Sequence, residues 1–397
     1  MTESSAMPPH MRRVGFDPAP ELAAMRDQAG IVRVTSAFGL DAWLVTRYAD
    51  VREVLGDAER FKIAEQTVGR LPGAPEMTPE QLAKAQAGNL LGADPPKHTR
   101  LRKMLTPEFT IRRMQRLEPR IRRIVDDHLD AMEAAGAPAD LVQSFALPIP
   151  SLVICELLGV PYEERAGFQL RTSRMLDMSV PGEERLALQF ESRAYMEDLV
   201  RRIQQDPGEE LLGMLVREHG DDLTTDELVG IGALLLFAGH ETTSNMLALG
   251  TLALLRHPEQ LELLRKEPER IDAAVEELLR WLSIVNSGTT KVTTTEVELG
   301  GRTIPPGELV VCALPAANRD PALLPDADTF DISRGAPGHV AFGHGIHHCL
   351  GAPLARMELR IAFPALLERF PGLREAGAAD FRSSHIVYGL SSLAVAW

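Results

Sequence analysis

The sequence predicts a mainly helical protein with small β-sheets at its edges, an α+β class. Two patterns support this prediction. From Pro96 to Trp281 nearly every stretch has the Leu-, Ala-, Glu- and Arg-rich periodicity of helices, punctuated by single glycines and prolines. Two shorter regions, around Ile31–Thr46 and Lys291–Pro315, have β-branched runs separated by glycine turns. No Gly/Ser- or Pro-rich linker divides the 397 residues, so we expect one domain, 1–397, with residues 1–30 as an N-terminal extension.

The other predicted elements are short and follow from local composition. In chain order they are strands over Ile31–Val34 and Ala42–Thr46 about a turn at Gly39, a helix starting at Asp50–Leu55, an irregular Gly- and Pro-rich stretch over Phe61–Leu91, turns at Gly300-Gly301 and Pro305-Pro306-Gly307, a final helix over Ala352–Leu367, and a hairpin near Ile386–Val395.

One predicted helix is unusually long. Thr224 and Glu227 have the spacing of a capping box, and the helical pattern continues to about His257, roughly 33 residues or about 50 Å. Its first three turns are apolar on all sides, which predicts a path through the core. The polar run from Gly239 to Asn245 then places a carboxylate and hydroxyls in mid-core, where they are costly unless paired or hydrated. We interpret this run as a proton-handling site facing a cavity; a capped interior kink is the alternative.

Charge and hydropathy limit the function classes. The net charge is −14, yet Lys97–Arg123 contains ten Lys/Arg and two Glu. This basic stretch is either a solvated helix face or a docking patch for an acidic partner. It has one aromatic residue, Phe109, and no recognisable motif, so we expect no nucleic-acid partner. Met1–Pro20 lacks signal-peptide features and the longest apolar run, Leu228–Gly239, is too short to span a bilayer, so we expect a soluble cytoplasmic protein without membrane partners.

Cys349 lies in a different setting from the other two cysteines. It belongs to the loop F-G-H-G-I-H-H-C-L-G at 342–351, whose glycines allow the backbone to approach a flat or bulky partner. Cys155 and Cys312 lie in apolar runs and are expected to be buried thiols. Three widely spaced cysteines form no disulfide framework. The sequence therefore indicates that Cys349 is a ligand or a nucleophile.

A zinc site explains these residues less well. His240-Glu241 begins the H-E-x-x-H signature, but Ser244 occupies the position of the second histidine. The histidines beside Cys349 have no second cysteine nearby in sequence, and structural zinc sites usually draw on paired cysteines.

Two charged pairs have helical spacing. Glu277 and Arg280 are three residues apart and share a helix face, which alone is typical of a surface salt bridge. His98 and Arg102 are four apart on a helix that starts at Pro95-Pro96, and together they would clamp an anionic group.

The order of these features resembles the cytochrome P-450 family of haem-thiolate monooxygenases. Four motifs match in chain order: H-T-R-L-R at 98–102, A-G-H-E-T-T at 238–243, E-L-L-R at 277–280 and the cysteine loop at 342–351. The resemblance extends from about Val34 to the C-terminus and is to the soluble bacterial type that takes electrons from a separate ferredoxin. It implies a single-domain cytochrome P-450-like fold, with the long central helix over haem b.

The resemblance also implies a role for each matching residue. Cys349 would be the axial thiolate ligand of the haem iron, which favours O–O cleavage. Glu241 and Thr242 would be the acid–alcohol pair that relays protons to dioxygen. Glu277 and Arg280 would form a buried ion pair, with Arg319 or Arg334 as its third member. The implied haem-contacting residues, which include propionate partners and the proximal loop, are His98, Arg102, Ala238, Lys291, Phe342, Gly343, Gly345, His347, Cys349 and Gly351.

Lys291 departs from the family pattern. Relatives usually have an arginine there, and lysine keeps the charge but loses the planar fork.

The implied activity is that of an oxidoreductase that inserts one oxygen atom of O2 into a hydrophobic small molecule, by hydroxylation or epoxidation, in secondary metabolism. Ferredoxin and ferredoxin reductase would supply the electrons, because the chain has no fingerprint for its own flavin or iron–sulfur group. The implied pocket walls are Phe61–Leu91, Phe168–Met196, residues Leu234, Leu235 and Ala238 of the long helix, Ile284–Thr290 with its polar Asn286 and Thr289, and Ile386–Leu390.

Two other functions remain open at this point. Arg12–Leu22 and Leu105–Glu118 resemble relatives that cross-link aromatic side chains on a carrier-bound peptide. A non-catalytic haem-binding sensor is the other alternative. The intact Glu241-Thr242 pair favours oxygenation, because scission of dioxygen needs delivered protons.

Overall fold

The computed structural model describes residues 7–36, 39–63, 78–335 and 338–397. The chain divides into two compact units. The first comprises Met1–Pro72, Leu252–Cys349 and Phe381–Gly389, and the second comprises Gly73–Thr251, Leu350–Asp380 and Leu390–Trp397. The expected single domain stays a prediction.

The described α-helices are α1 (Pro20–Gln28), α2 (Tyr48–Gly56), α3 (Pro79–Gln86), α4 (Lys97–Leu105), α5 (Ile111–Ala135), α6 (Pro148–Leu158), α7 (Arg165–Leu176), α8 (Gly182–Gln205), α9 (Leu211–His219), α10 (Thr225–Arg256), α11 (Pro258–Lys266), α12 (Ile271–Leu282), α13 (Leu314–Asn318) and α14 (Ala352–Arg369).

The described strands are β1 (Arg13–Val14), β2 (Asp17–Pro18), β3 (Ile31–Thr35), β4 (Asp41–Val45), β5 (Phe61–Lys62), β6 (Ala139–Asp140), β7 (Thr289–Thr293), β8 (Val297–Leu299), β9 (Arg302–Ile304), β10 (Leu309–Cys312), β11 (Arg374–Glu375), β12 (Asp380–Phe381), β13 (Leu390–Ser392) and β14 (Ala394–Ala396).

The first unit is built on a five-stranded sheet in the order β3-β4-β10-β7-β5. β10 runs parallel to β4 and antiparallel to β7, so Val310 lies between Trp43 and Lys291. Alternate residues of β10 face opposite sides of the sheet. Val310 and Cys312 join an apolar cluster with Leu55 and other residues of α2, while Val311 joins a second cluster. Strands from both predicted β regions therefore meet in one sheet, while β8 and β9 of the second region pair with each other in a separate one.

The second unit is mainly helical. In α5 the buried residues recur at helical spacing, as Ile121, Ile124, Val125, Leu129 and Met132. This apolar stripe packs against α14. A three-stranded sheet in the order β11-β14-β6 accompanies the helices.

The long helix α10 has the predicted bounds within two residues. The backbone N–H of Glu227 donates to Thr224 Oγ1 at 3.2 Å, and the backbone N–H of Thr224 donates to Glu227 Oε2 at 3.0 Å. This capping box fixes the helix start, and 32 residues follow without a break. The polar run therefore does not interrupt the helix.

Two predictions of local structure are wrong. The hairpin near Ile386–Val395 does not form, because β13 and β14 belong to different sheets. The stretch Phe61–Leu91 contains β5 and α3, the latter begun by a capping box between Thr78 and Gln81; residues 64–77 of this predicted stretch lie outside the described part. Among the helices that the structure describes, none has both the length and the apolarity that crossing a bilayer requires.

Candidate functional site

The cysteine loop has a closed, defined conformation. The backbone N–H of Cys349 donates to the carbonyl of Phe342 at 2.9 Å, and that of His348 donates to Gly345 at 3.1 Å. Gly343 and Gly345 have φ of +72° and +70°, a region that favours glycine. A Cβ on Gly345 would overlap the carbonyl oxygen of Leu55 in α2, so the loop packs backbone against backbone there.

The three cysteines differ as predicted. Cys155 and Cys312 are buried, and burial raises the pKa of each thiol to about 12. Cys349 is exposed. A thiolate is the form that binds metals, so of the three only Cys349 combines access with a glycine-rich setting suited to a bound group.

The mid-helix polar run of α10 contains hydroxyl and amide groups bonded along the helix. Thr242 Oγ1 donates to the carbonyl of Ala238 at 2.9 Å. Asn245 Nδ2 donates to Glu241 Oε2 at 3.1 Å and to the Glu241 carbonyl at 2.8 Å. Glu241 is 2% exposed, and its carboxylate orientation is held by Asn245.

One face of α10 is open. Leu234, Ala238 and Thr242 recur every four residues and are half-buried, as are Ala233, Leu235, Phe237 and Gly239 beside them, whereas residues 243–254 of the helix are buried. A hydroxyl is thus accessible at the end of a half-buried apolar stripe, directly before the fully buried part of the helix. This face has the character of a cavity wall, and the proton-handling site that the sequence predicts there stays a prediction.

His98 and Arg102 lie one turn apart on α4, His98 buried and Arg102 half-buried. Lys291 is in the middle of β7 and is 1% exposed. Its ammonium is near enough to Cys312 to oppose the rise in that thiol's pKa. His98 of the second unit and Lys291 of the first are therefore shielded from bulk solvent, whereas Arg102 is partly exposed.

Glu277 and Arg280 form a buried bidentate ion pair, and both side chains are 0% exposed. Arg280 Nε and Nη2 each donate to a Glu277 oxygen at 2.7 Å. Arg280 also donates to the carbonyls of Asn318, Ala327 and Thr329 at 2.6–3.1 Å. The pair therefore ties α12 to the segment that follows α13.

Neither candidate third arginine bonds Glu277 in the structure. Arg319 donates to the carbonyls of Trp281 and Asp328, and Arg334 pairs with Asp331. The backbone N–H of Asp331 donates to Glu277 Oε1 at 3.0 Å instead. A backbone N–H thus occupies the position at Glu277 where the resemblance implies a guanidinium.

Asn286 is a second departure. It was predicted to be a polar group of the pocket, but it is 0% exposed and its Oδ1 accepts from Arg13 Nε at 2.8 Å. Arg13 lies in the Arg12–Leu22 segment, where no motif in the sequence indicates a role for this residue.

One face of α5 is basic. Arg112, Arg116 and Arg123 are exposed, and their spacing of four and eleven residues puts them within about 40° of one another around the helix. Of the neighbouring arginines, Arg113 pairs with Glu108 and Arg122 with Glu118.

The described residues fit the haem that the sequence resemblance implies. Cys349 supplies an accessible thiol, and a Cβ added at Gly351 would meet no atom within 4 Å, while one at Gly343 would meet only His347 O at 3.9 Å. The motif glycines thus leave free space where a side chain would intrude. Imidazole, guanidinium and ammonium groups at His98, Arg102 and Lys291 have the donor chemistry that carboxylates require.

Comparison with known proteins agrees with this chemistry. A family model described as cytochrome P450 matches residues 195–372. The chain is 48% identical over 399 residues to cytochrome P450 FAS1 of Rhodococcoides fascians, covering all of both chains. It superposes on the structure of P450 StaH from glycopeptide antibiotic A47934 biosynthesis with a TM-score of 0.85 and 46% identity, covering 98% of this chain and 100% of that one. For CYP105P1 in complex with filipin I the TM-score is 0.90 at 40% identity, with 98% of each chain covered.

Proposed function

This chain belongs to the cytochrome P450 family of haem-thiolate monooxygenases, and we propose that it oxygenates a hydrophobic small molecule of secondary metabolism with electrons from a separate ferredoxin. The observation that carries the proposal is the exposed Cys349 on its closed glycine loop, in a chain whose full length aligns with a cytochrome P450. We also propose that the two units act as one catalytic domain, 1–397, and that the enzyme works in the cytoplasm.

Haem, when bound through its iron to a cysteine thiolate, activates O2 for insertion of one oxygen atom into a C–H or C=C bond. We assign Cys349 as the axial ligand and His98, Arg102, Lys291 and His347 as partners of the propionates. Ala238, Phe342, Gly343 and Gly351 are assigned to contacts with the ring.

Two residues of α10 are assigned to proton delivery. Glu241 is buried, with its carboxylate held by Asn245, and Thr242 presents its hydroxyl on the open face of the helix. Thr242 Oγ1 already donates to Ala238 O, so its lone pairs are available to accept another hydrogen bond. We propose that Glu241, once protonated, is the proton source of the site, and that Thr242 Oγ1 accepts this proton as it gives up its own hydroxyl proton.

The apolar, half-buried residues of α10 support a hydrophobic substrate. Leu234, Leu235 and Ala238 are apolar and half-buried, while residues 243–254 of the same helix are buried. Apolar walls with a single hydroxyl suit a medium or large hydrophobic molecule. The 40% identical CYP105P1 structure contains filipin I, which supports a substrate of this class.

A second candidate is oxidative cross-linking of aromatic side chains on a carrier-bound peptide. The 46% identity to StaH, from a glycopeptide antibiotic pathway, favours it. Replacing Thr242 distinguishes the two reactions, because cross-linking inserts no oxygen atom into its product.

The test compares Thr242→Ala with Thr251→Ala. Thr251 is a suitable control because its hydroxyl also donates to the carbonyl four residues earlier, Leu247 O, at 2.8 Å. It does so in a buried part of the same helix. With the best ligand from a spin-state screen, Thr242→Ala should still consume electrons while oxygenated product falls at least fivefold and hydrogen peroxide rises. Thr251→Ala should keep the wild-type ratio. Unchanged product in Thr242→Ala would refute the proton-delivery role.

The redox partner is proposed from charge. Arg112, Arg116 and Arg123 form an exposed basic face on α5, which would steer an acidic ferredoxin. Reversal of all three to Glu should raise the KM for ferredoxin at least tenfold at low salt and leave the CO spectrum unchanged. The control reverses Arg174, Arg201 and Arg217, three partly exposed arginines with acidic partners, for the same change in net charge. Equal effects of the two triple variants would contradict a specific docking face.

A further inference from the structure

Arg13 donates four hydrogen bonds within the first unit. Its Nη2 donates to the Ser283 carbonyl at 2.6 Å, and its Nη1 to the Leu282 carbonyl at 3.0 Å and the Phe16 carbonyl at 3.2 Å. Its Nε donates to Asn286 Oδ1 at 2.8 Å. Three of these acceptors lie where the chain leaves α12, so one guanidinium holds both the end of the helix and the segment after it.

The chain bends sharply at that point. Ser283 follows α12 with φ of +41° and ψ of +64°, a left-handed conformation that is uncommon for serine. The last carbonyls of a helix lack intrahelical partners and carry partial negative charge. The Arg13 guanidinium supplies both hydrogen bonds and positive charge to Leu282 and Ser283. It therefore stabilises the bend that sends the chain into Ile284–Thr290.

The same guanidinium contacts a second segment. It lies over the Tyr388 ring at 5.0 Å, and Tyr388 Oη donates to the Gly15 carbonyl at 2.6 Å. The two segments also join each other, since Tyr388 N donates to Ile284 O at 2.8 Å and Asn286 N to Ile386 O at 2.9 Å. Arg13 and Gly15 thus link the N-terminal segment to both.

We propose that Arg13 is a positioning residue for substrate recognition, which sets the backbone of Ile284–Thr290 and Ile386–Leu390 and thereby the shape of the pocket wall. This inference rests on the proposed function, in which those two segments wall the substrate pocket. It also explains why the Asn286 amide is unavailable to a substrate: Asn286 Oδ1 accepts from Arg13, and Nδ2 donates to Met11 O at 3.4 Å.

A lysine cannot replace this arginine. The three acceptors Leu282 O, Ser283 O and Asn286 Oδ1 are reached by three different nitrogens of one planar group. An ammonium is a compact charge on a flexible stem and cannot bond these positions with the same geometry. Arg13→Lys should therefore behave more like Arg13→Gln than like wild type.

The experiment compares binding of imidazole and 4-phenylimidazole to the ferric holoenzyme by Soret shift. Imidazole reports access to the iron, whereas the phenyl group also reports packing against the pocket wall. The ratio of the two Kd values should change at least fivefold in Arg13→Gln and in Arg13→Lys, through the Kd of 4-phenylimidazole. Arg12→Gln is the matched control, since Arg12 is 47% exposed and pairs with Glu21, and it should leave the ratio unchanged.

A ratio within twofold of wild type in folded, haem-loaded Arg13→Gln would overturn the inference, even if the melting temperature falls, because a purely structural role lowers stability without changing selectivity. If Arg13→Gln does not fold, Tyr388→Phe is the second variant, because it removes the hydrogen bond to Gly15 O. It should change the ratio of the two Kd values at least twofold, again through the Kd of 4-phenylimidazole, and a ratio closer to wild type than that would equally overturn the inference. Failure of the proposed function is recognised separately, as a wild-type protein without a thiolate-ligated haem spectrum.

Discussion

Removal of the Glu277 carboxylate is the sharpest test of the packing of the first unit. Glu277→Gln removes the negative charge from both 2.7 Å bonds of Arg280 and turns one of the two acceptors into an NH2 donor, which leaves a guanidinium that is 0% exposed without its counter-charge. Hydrogen bonds to charged groups contribute about 1.5–3 kcal/mol each, which for two bonds is about 3–6 kcal/mol. Breaking a buried ion pair costs about 3–5 kcal/mol. We therefore expect the free energy of unfolding to fall by about 4 kcal/mol.

The measurement is urea unfolding of the holoenzyme at pH 7.5, monitored by far-ultraviolet circular dichroism. The control is Arg122→Gln, which breaks the exposed pair of Arg122 with Glu118 and should cost about 0.3–0.5 kcal/mol. A loss below about 1 kcal/mol in Glu277→Gln would contradict a stabilising role of the buried ion pair. It would mean that water or other groups replace the carboxylate in the folded protein.

Three further predictions concern single residues. Burial lowers the pKa of His10 to about 4, so the folded protein favours the neutral ring. The resulting stability, about 3 kcal/mol, is present above pH 6.5 and should be lost as the pH falls to 4. His10→Gln should therefore make the urea midpoint less dependent on pH over that range. Burial raises the pKa of Glu358, which favours its protonated form in the folded state. Stability should therefore fall as pH rises above 4.5, and Glu358→Gln should melt higher than wild type at pH 8 with a gap that closes by pH 4.5. Gly345→Ala places a methyl group at a φ of +70° and against Leu55 O. The haem content of the purified protein should therefore drop severalfold. A haem content equal to that of the wild type would show that the loop can move to accept the methyl group.

Local signals predicted the long helix well. The capping box of Thr224 and Glu227 and an uninterrupted apolar pattern locate α10 within two residues at each end, because both depend on neighbours in sequence. The same holds for the strands about Gly39 and for the setting of Cys349, whose glycines require backbone conformations that few other residues adopt.

Contacts between distant residues could not be predicted in this way. Arg13 and Asn286 are 273 residues apart, and no pattern in either segment indicates the other. Glu277 and Arg280 show a spacing that is common on helix surfaces, and only tertiary packing makes the pair buried. The predicted hairpin is wrong for a similar reason, since β14 finds its partners in β11 and β6 rather than in the strand next to it.

The carbon monoxide difference spectrum of the dithionite-reduced protein tests directly whether Cys349 is the thiolate ligand of a bound haem. We expect a strongly red-shifted Soret band in the wild type and its loss in Cys349→Ser, with Cys155→Ser unchanged because Cys155 is a buried thiol. A band at the position of a histidine- or thiol-ligated haem, or the absence of haem from the purified protein, would contradict the assignment of Cys349 as the thiolate ligand.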